Sequence, residues 1–129
     1  LLRGSILFNL YNAAPHILDS GIVVLVEGPI DVMAFEAAGV SNAVAMLSLD
    51  ITREQINLLM SAGAINVLVA TDNDTTDEAA NSLNKKLTEH FSVYDFPLPS
   101  TCNDPDELDQ ETLKELYDSV VSDIGVING

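Results

Sequence analysis

Ile22-Val23-Val24-Leu25-Val26 runs without a polar residue straight into Glu27-Gly28. Five β-branched or aliphatic residues without polar alternation read as a strand buried on both faces, the situation of a strand inside a parallel sheet. Directly downstream, Pro29 to Ala38 reads as a helix with Ile30, Met33, Ala34 and Ala37 on its apolar face, and Gly39 supplies the stop.

The strand-then-helix unit recurs. Ala43 to Leu47 is a short apolar run, and Thr52-Arg53-Glu54-Gln55 forms a capping box ahead of Ile56, Leu59 and Met60, with Gly63 after the helix. Ile65 to Ala70 is a third run; Thr75 and Glu78 then read as the capping box of a helix carrying Ala79, Ala80, Leu83 and Leu87. Phe91 to Phe96 is a fourth strand, and a last helix is expected over about 110–122, buried along Leu113, Leu116, Tyr117 and Val120. Upstream of the first strand lies an apolar opening (Leu7, Phe8, Leu10, Tyr11, Ile17, Leu18) closed by a turn at Asp19, Ser20 and Gly21, to which no element is assigned. Strands alternating with helices specify right-handed crossovers, so the fold class is α/β: about four strands in a mainly parallel, Rossmann-like sheet flanked by helices.

A chain of 129 residues accommodates one domain with a real core, here about 20–109 plus the C-terminal helix. Because it opens at Leu1 without a methionine, it is expected to be a portion of a larger protein. Twenty Asp and Glu against five Lys and Arg give a net charge of −15, which disfavours holding a nucleic-acid backbone by charge neutralisation and favours metal cations as partners. A single cysteine, Cys102, makes no internal disulfide and fits a reducing, cytoplasmic setting. No apolar run reaches the length of about 20 residues that a membrane span requires.

In an open parallel sheet, ligands bind beyond the carboxyl ends of the strands. Glu27-Gly28 ends the first strand, Asp72-Asn73-Asp74 ends the third, and Asp104-Pro105-Asp106 follows the fourth. Hard divalent cations take oxygen ligands, so Asp72 and Asp74 can flank one ion, with Glu27 approaching the same ion or moving a proton. Gly28 lets a ligand come close to the backbone. Each group also has a plain structural reading: Glu-Gly as a turn, Asp-Asn-Asp as helix capping, and Asp104-Pro105-Asp106-Glu107 as a helix start. Asp31 reads first as a partner of the helix dipole. The arrangement of all three groups at successive strand ends is what favours a shared site.

These residues resemble the Toprim domain of DnaG-type primases, topoisomerases, certain nucleases and recombination proteins. Its signature, a strand ending in Glu-Gly and a later strand ending in Asp-x-Asp, is matched by Val23 to Gly28 and Val67 to Asp74; the likeness spans about 7–108. The bacterial and phage primase branch is the nearest match. Leu7-Phe8-Asn9-Leu10 is similar to the segment that precedes the domain in primases, Glu27-Gly28-x-x-Asp31-Val32 to their first motif, and Pro97-Leu98-Pro99 with Asp104-Pro105-Asp106-Glu107-Leu108 to their late acidic motif. Pro29, Ser48-Leu49-Asp50 and Thr75-Thr76-Asp77-Glu78 depart from that pattern.

The resemblance implies templated synthesis of RNA primers from ribonucleoside triphosphates, with two Mg²⁺ or Mn²⁺ ions held by Asp72, Asp74, Asp104 and Asp106 and Glu27 as ligand or general acid-base. It further implies a DNA template held by basic domains outside this chain and a replicative helicase as partner. Two other readings stay open at this level. One is a Toprim nuclease or topoisomerase module that cleaves, and the other a non-catalytic interaction domain in recombination or repair.

Overall fold

The computed structural model describes residues 3–128. Four strands, β1 (Ile22–Val26), β2 (Ala43–Ala45), β3 (Asn66–Val69) and β4 (Ser92–Asp95), form one sheet in the order β2-β1-β3-β4, every neighbouring pair parallel. The helices are α1 (Leu10–Ser20), α2 (Pro29–Ala37), α3 (Arg53–Ala62), α4 (Asp77–Thr88) and α5 (Gln110–Asn128). The expected α/β class is therefore observed, and β1 lies at the centre beside β3, with all five of its residues buried.

Side chains alternate across a strand, so β1 feeds two cores. Val23 and Leu25 pack with Ile17, Leu59, Leu83 and Leu87 from α1, α3 and α4. Ile22, Val24 and Val26 pack with Val32, Phe35 and Leu113 from α2 and α5 on the opposite face. Phe35 is fully buried and meets Phe96 edge-on at 5.3 Å between ring centroids. Such a burial is worth about 2–3 kcal/mol. The β2 edge is covered by an antiparallel bridge in which Phe8 and Ala45 exchange backbone hydrogen bonds of 2.9 and 3.1 Å.

Several local expectations are corrected. The apolar stripe assigned to α2 points outward, Ile30 and Met33 being 66% and 64% exposed, while Asp31, Val32 and Phe35 face inward. The cap of α4 is Thr76, whose hydroxyl accepts the Ala79 N–H, because the neighbouring Thr75 hydroxyl is engaged with Glu27. The α5 helix continues past the expected end at 122 to Asn128, adding Ile124 to the core. The unassigned opening contains α1, closed by Gly21 at φ 73°, a left-handed conformation that glycine adopts without penalty. The capping box of α3 is present as expected: the Thr52 hydroxyl accepts the Gln55 N–H and the Gln55 amide oxygen accepts the Thr52 N–H.

Candidate metal centre

Parallel pairing of β1 with β3 brings their carboxyl ends together, with Leu25 opposite Val69 and the Ala70 N–H bonded to the Leu25 carbonyl at 2.9 Å. Glu27 and Asp72 thus emerge at one end of the sheet. They line a cleft of about 760 Å³ together with Asp31, Asp104 and Asp106, and among the described residues no lysine or arginine lines it. The far wall is the loop after β2, where Leu47 sits at φ 64°, its N–H held by the Glu27 carbonyl at 2.8 Å. That backbone conformation costs a non-glycine residue about 1–2 kcal/mol, a strain typical of positions at binding sites.

Within the cleft, carboxylate oxygens of Asp31, Asp104 and Asp106 lie within 4.8 Å of one another. Asp31 occupies the third position of α2, and a helical side chain leans toward the helix N-terminus, which aims this one into the cleft. It is therefore both a first-turn acid, as its sequence position indicates, and a member of the acidic cluster. Burial pushes the Asp31 carboxyl up to a pKa of about 6, reinforced by the charges of Asp72, Asp106 and Glu27 and opposed by a hydrogen bond from the Asp106 backbone. Asp72 is also raised to about 6, by burial first and then by Glu27, Asp74, Asp106 and Glu107.

Carboxylates crowded this way are unfavourable unless something positive joins them. Oδ1 of Asp72 and Oδ1 of Asp104 are each buried with no hydrogen-bond partner among the described residues. Buried polar atoms are normally satisfied, and two orphaned carboxylate oxygens in one acidic cleft fit a cation that takes oxygen ligands. Gly28 fits as well: a Cβ there would meet nothing within 4 Å, so what glycine leaves open is the cleft itself.

Of the residues singled out from the sequence, Glu27, Asp72, Asp104 and Asp106 line the cleft; Asp74 is exposed and lies outside its lining, close enough for its charge to raise the pKa of Asp72. Asp31 was legible as an acid four residues after Glu27, but its closeness to Asp104 and Asp106 is long-range. Thr75, whose hydroxyl donates to Glu27 Oε1 at 3.2 Å, gave no sequence signal beyond capping. The Asp104 segment forms a 3₁₀ turn, Pro105–Glu107, in which the Glu107 carboxylate accepts the N–H groups of Asn103 and Asp104.

A Toprim-like family model matches residues 24–109, two thirds of the chain, from within β1 to just past the 3₁₀ turn. A DNA primase of Aquifex aeolicus is 33% identical over 125 residues, 95% of this chain and 25% of that protein. A solved structure of the Aquifex aeolicus primase zinc-binding and RNA polymerase domains superposes with a TM-score of 0.73 at 31% identity, covering 92% of this chain and 30% of that one. A DnaG primase catalytic domain bound to ssDNA matches at 27% identity with a TM-score of 0.71, covering 92% of this chain and 38% of that one. The chain thus spans about a quarter of the curated primase it matches. It belongs to the Toprim-like family, as a Toprim domain of the DnaG primase type.

Proposed function

We propose that this chain is the metal-binding catalytic module of a DNA primase, and that in the longer parent protein it serves synthesis of RNA primers from ribonucleoside triphosphates on a DNA template. The observation that carries this reading is the convergence of Glu27, Asp31, Asp72, Asp104 and Asp106 on one cleft at the carboxyl end of the sheet, with two carboxylate oxygens left unpartnered. Asp31, Asp104 and Asp106 would hold one Mg²⁺ or Mn²⁺, and Asp72 with Asp74 and Glu27 a second. Bound there, the cations would neutralise triphosphate oxygens and the charge that develops on the attacking and leaving oxygens. Glu27 is kept in place by Thr75, so its carboxylate can act as a ligand or accept the proton of an attacking hydroxyl.

A surface of net charge −15 with five basic residues does not hold a DNA strand. We assign template contact to basic regions of the parent; the DnaG catalytic domain bound to ssDNA is matched by this chain over 38% of its length. Among the described residues no helix is long and apolar enough to cross a membrane. Primer synthesis by the parent protein with Asp72→Asn or Glu27→Gln tests the reading: synthesis should fall by a factor of about 10² or more while the fold persists, and retained synthesis in both variants contradicts it.

A further inference from the structure

The two acidic loops do not simply lie side by side. Asn73, between Asp72 and Asp74, donates from Nδ2 to the carbonyls of Pro99 and Cys102 at 3.0 and 2.7 Å, and its own N–H donates to the Asn103 carbonyl at 2.6 Å. Asn103 returns the contact, its Oδ1 accepting the Asp74 N–H at 3.1 Å. Asn103 immediately precedes Asp104, and the Glu107 carboxylate fixes the N–H groups of both. Four hydrogen bonds therefore join the loop that carries Asp72 and Asp74 to the loop that carries Asp104 and Asp106.

We propose that Asn73 and Asn103 are positioning residues: a clasp that holds the two carboxylate loops together before any cation arrives. The inference rests on the metal-binding reading above. Like charges facing one another across a cleft push the loops apart, and the cost of keeping them in register must be met by neutral contacts around them. An amide supplies those contacts where a carboxylate would add to the repulsion, since Asn73 donates two hydrogen bonds that Asp cannot make. The two orphaned oxygens, Asp72 Oδ1 and Asp104 Oδ1, belong one to each of the loops it joins. Neither asparagine lines the cleft, so both act through the carboxylates next to them.

The test uses Asn73→Ala, Asn103→Ala and the double variant of this chain, with Mn²⁺ binding followed by calorimetry and amide hydrogen exchange followed without metal. Groups that orient metal ligands typically change affinity by about 10- to 100-fold. Each single variant should weaken Mn²⁺ binding by about that factor with unchanged stoichiometry, and the double variant should be little worse than either, because both break one clasp. Exchange at the Asp74 amide should speed up by about tenfold, while the amides of β1 keep their protection. Wild-type affinity in Asn73→Ala, or unchanged Asp74 exchange, overturns the clasp while the metal site stands. A wild-type chain that binds no Mn²⁺ overturns the metal reading and the role given to the clasp together.

Discussion

Asp31 and Asp106, one on the first turn of α2 and the other in the 3₁₀ turn before α5, share the same cleft with carboxylate oxygens within 4.8 Å, and the Asp106 backbone donates to the Asp31 carboxyl. Their approach couples two segments distant in sequence, through charge repulsion opposed by that hydrogen bond. Removing one charge should therefore stabilise the metal-free chain while disabling the site.

Asp31→Asn keeps the shape and an acceptor for the Asp106 N–H, and it deletes a buried negative charge. Without divalent metal its Tm should rise by several degrees, equivalent to about 1 kcal/mol or more. Its Mn²⁺ affinity should drop at least tenfold. A lower Tm together with normal Mn²⁺ binding would remove Asp31 from the cluster.

The pH dependence has a definite sign. Asp31 and Asp72 titrate near 6 in the folded chain against an ordinary value of 3.8. Between those values the folded state holds more protons than the unfolded one, so stability is present at the acid end and is lost as pH rises through about 6. The two groups raise each other, so the titration belongs to the cluster rather than to either residue. Asp50, held low with the help of the Lys86 ammonium, works in the opposite direction, which makes the difference from a variant the useful quantity. Thermal melts in EDTA should show wild type losing ground to Asp31→Asn/Asp72→Asn from about pH 4.5 to about pH 7; a constant gap across that range contradicts the raised pKa values.

On α2 the sequence and the structure part company, and a pair of substitutions separates them. Phe35 is fully buried against Phe96, so Phe35→Ala should cost about 3–5 kcal/mol. Met33→Gln should stay within about 0.5 kcal/mol of wild type, because Met33 is 64% exposed. Denaturant melts that find Met33→Gln the more damaging change would reverse the assigned face.

What could be read from the sequence follows the range of the interactions involved. The strands, the Thr52–Gln55 capping box and the stops at Gly39 and Gly63 are written in residues a few positions apart, and they were legible. The α2 face was not: Ile30, Met33 and Ala37 recur at helical spacing as persuasively as Val32 and Phe35 do, and only the position of the helix against β1 and α5 decides between them. Helix α1 leaves a weak local signal because Pro15 interrupts its interior and Asn9, its N-cap position, makes no side-chain cap bond. At the site, the strand-end carboxylates Glu27 and Asp72 could be placed from topology alone. The Asn73–Asn103 contacts and the approach of Asp31 to Asp104 depend on how the loop from Pro97 to Asn103 packs, which no local pattern encodes.

Asp104→Asn separates helix capping from metal binding. Asn remains a competent cap, and the bond from the Asp104 N–H to Glu107 survives the change. Tm without metal should shift by no more than a degree or two, upward if at all, whereas Mn²⁺ affinity should fall by at least tenfold. Undiminished Mn²⁺ binding would leave Asp104 with only its structural role.

If these carboxylates form a divalent-cation site, thermal melting in Mg²⁺ or Mn²⁺ must register it. A cation that binds only the folded cluster stabilises it by mass action, about 1.4 kcal/mol at ten times the dissociation constant, or several degrees. Monovalent salt at matched ionic strength controls for screening of the −15 surface. The Tm should rise with millimolar Mg²⁺ or Mn²⁺ in a way that monovalent salt does not reproduce and that largely vanishes in Asp72→Asn/Asp104→Asn. A shift fully reproduced by monovalent salt, or an equal shift in the double variant, would contradict it.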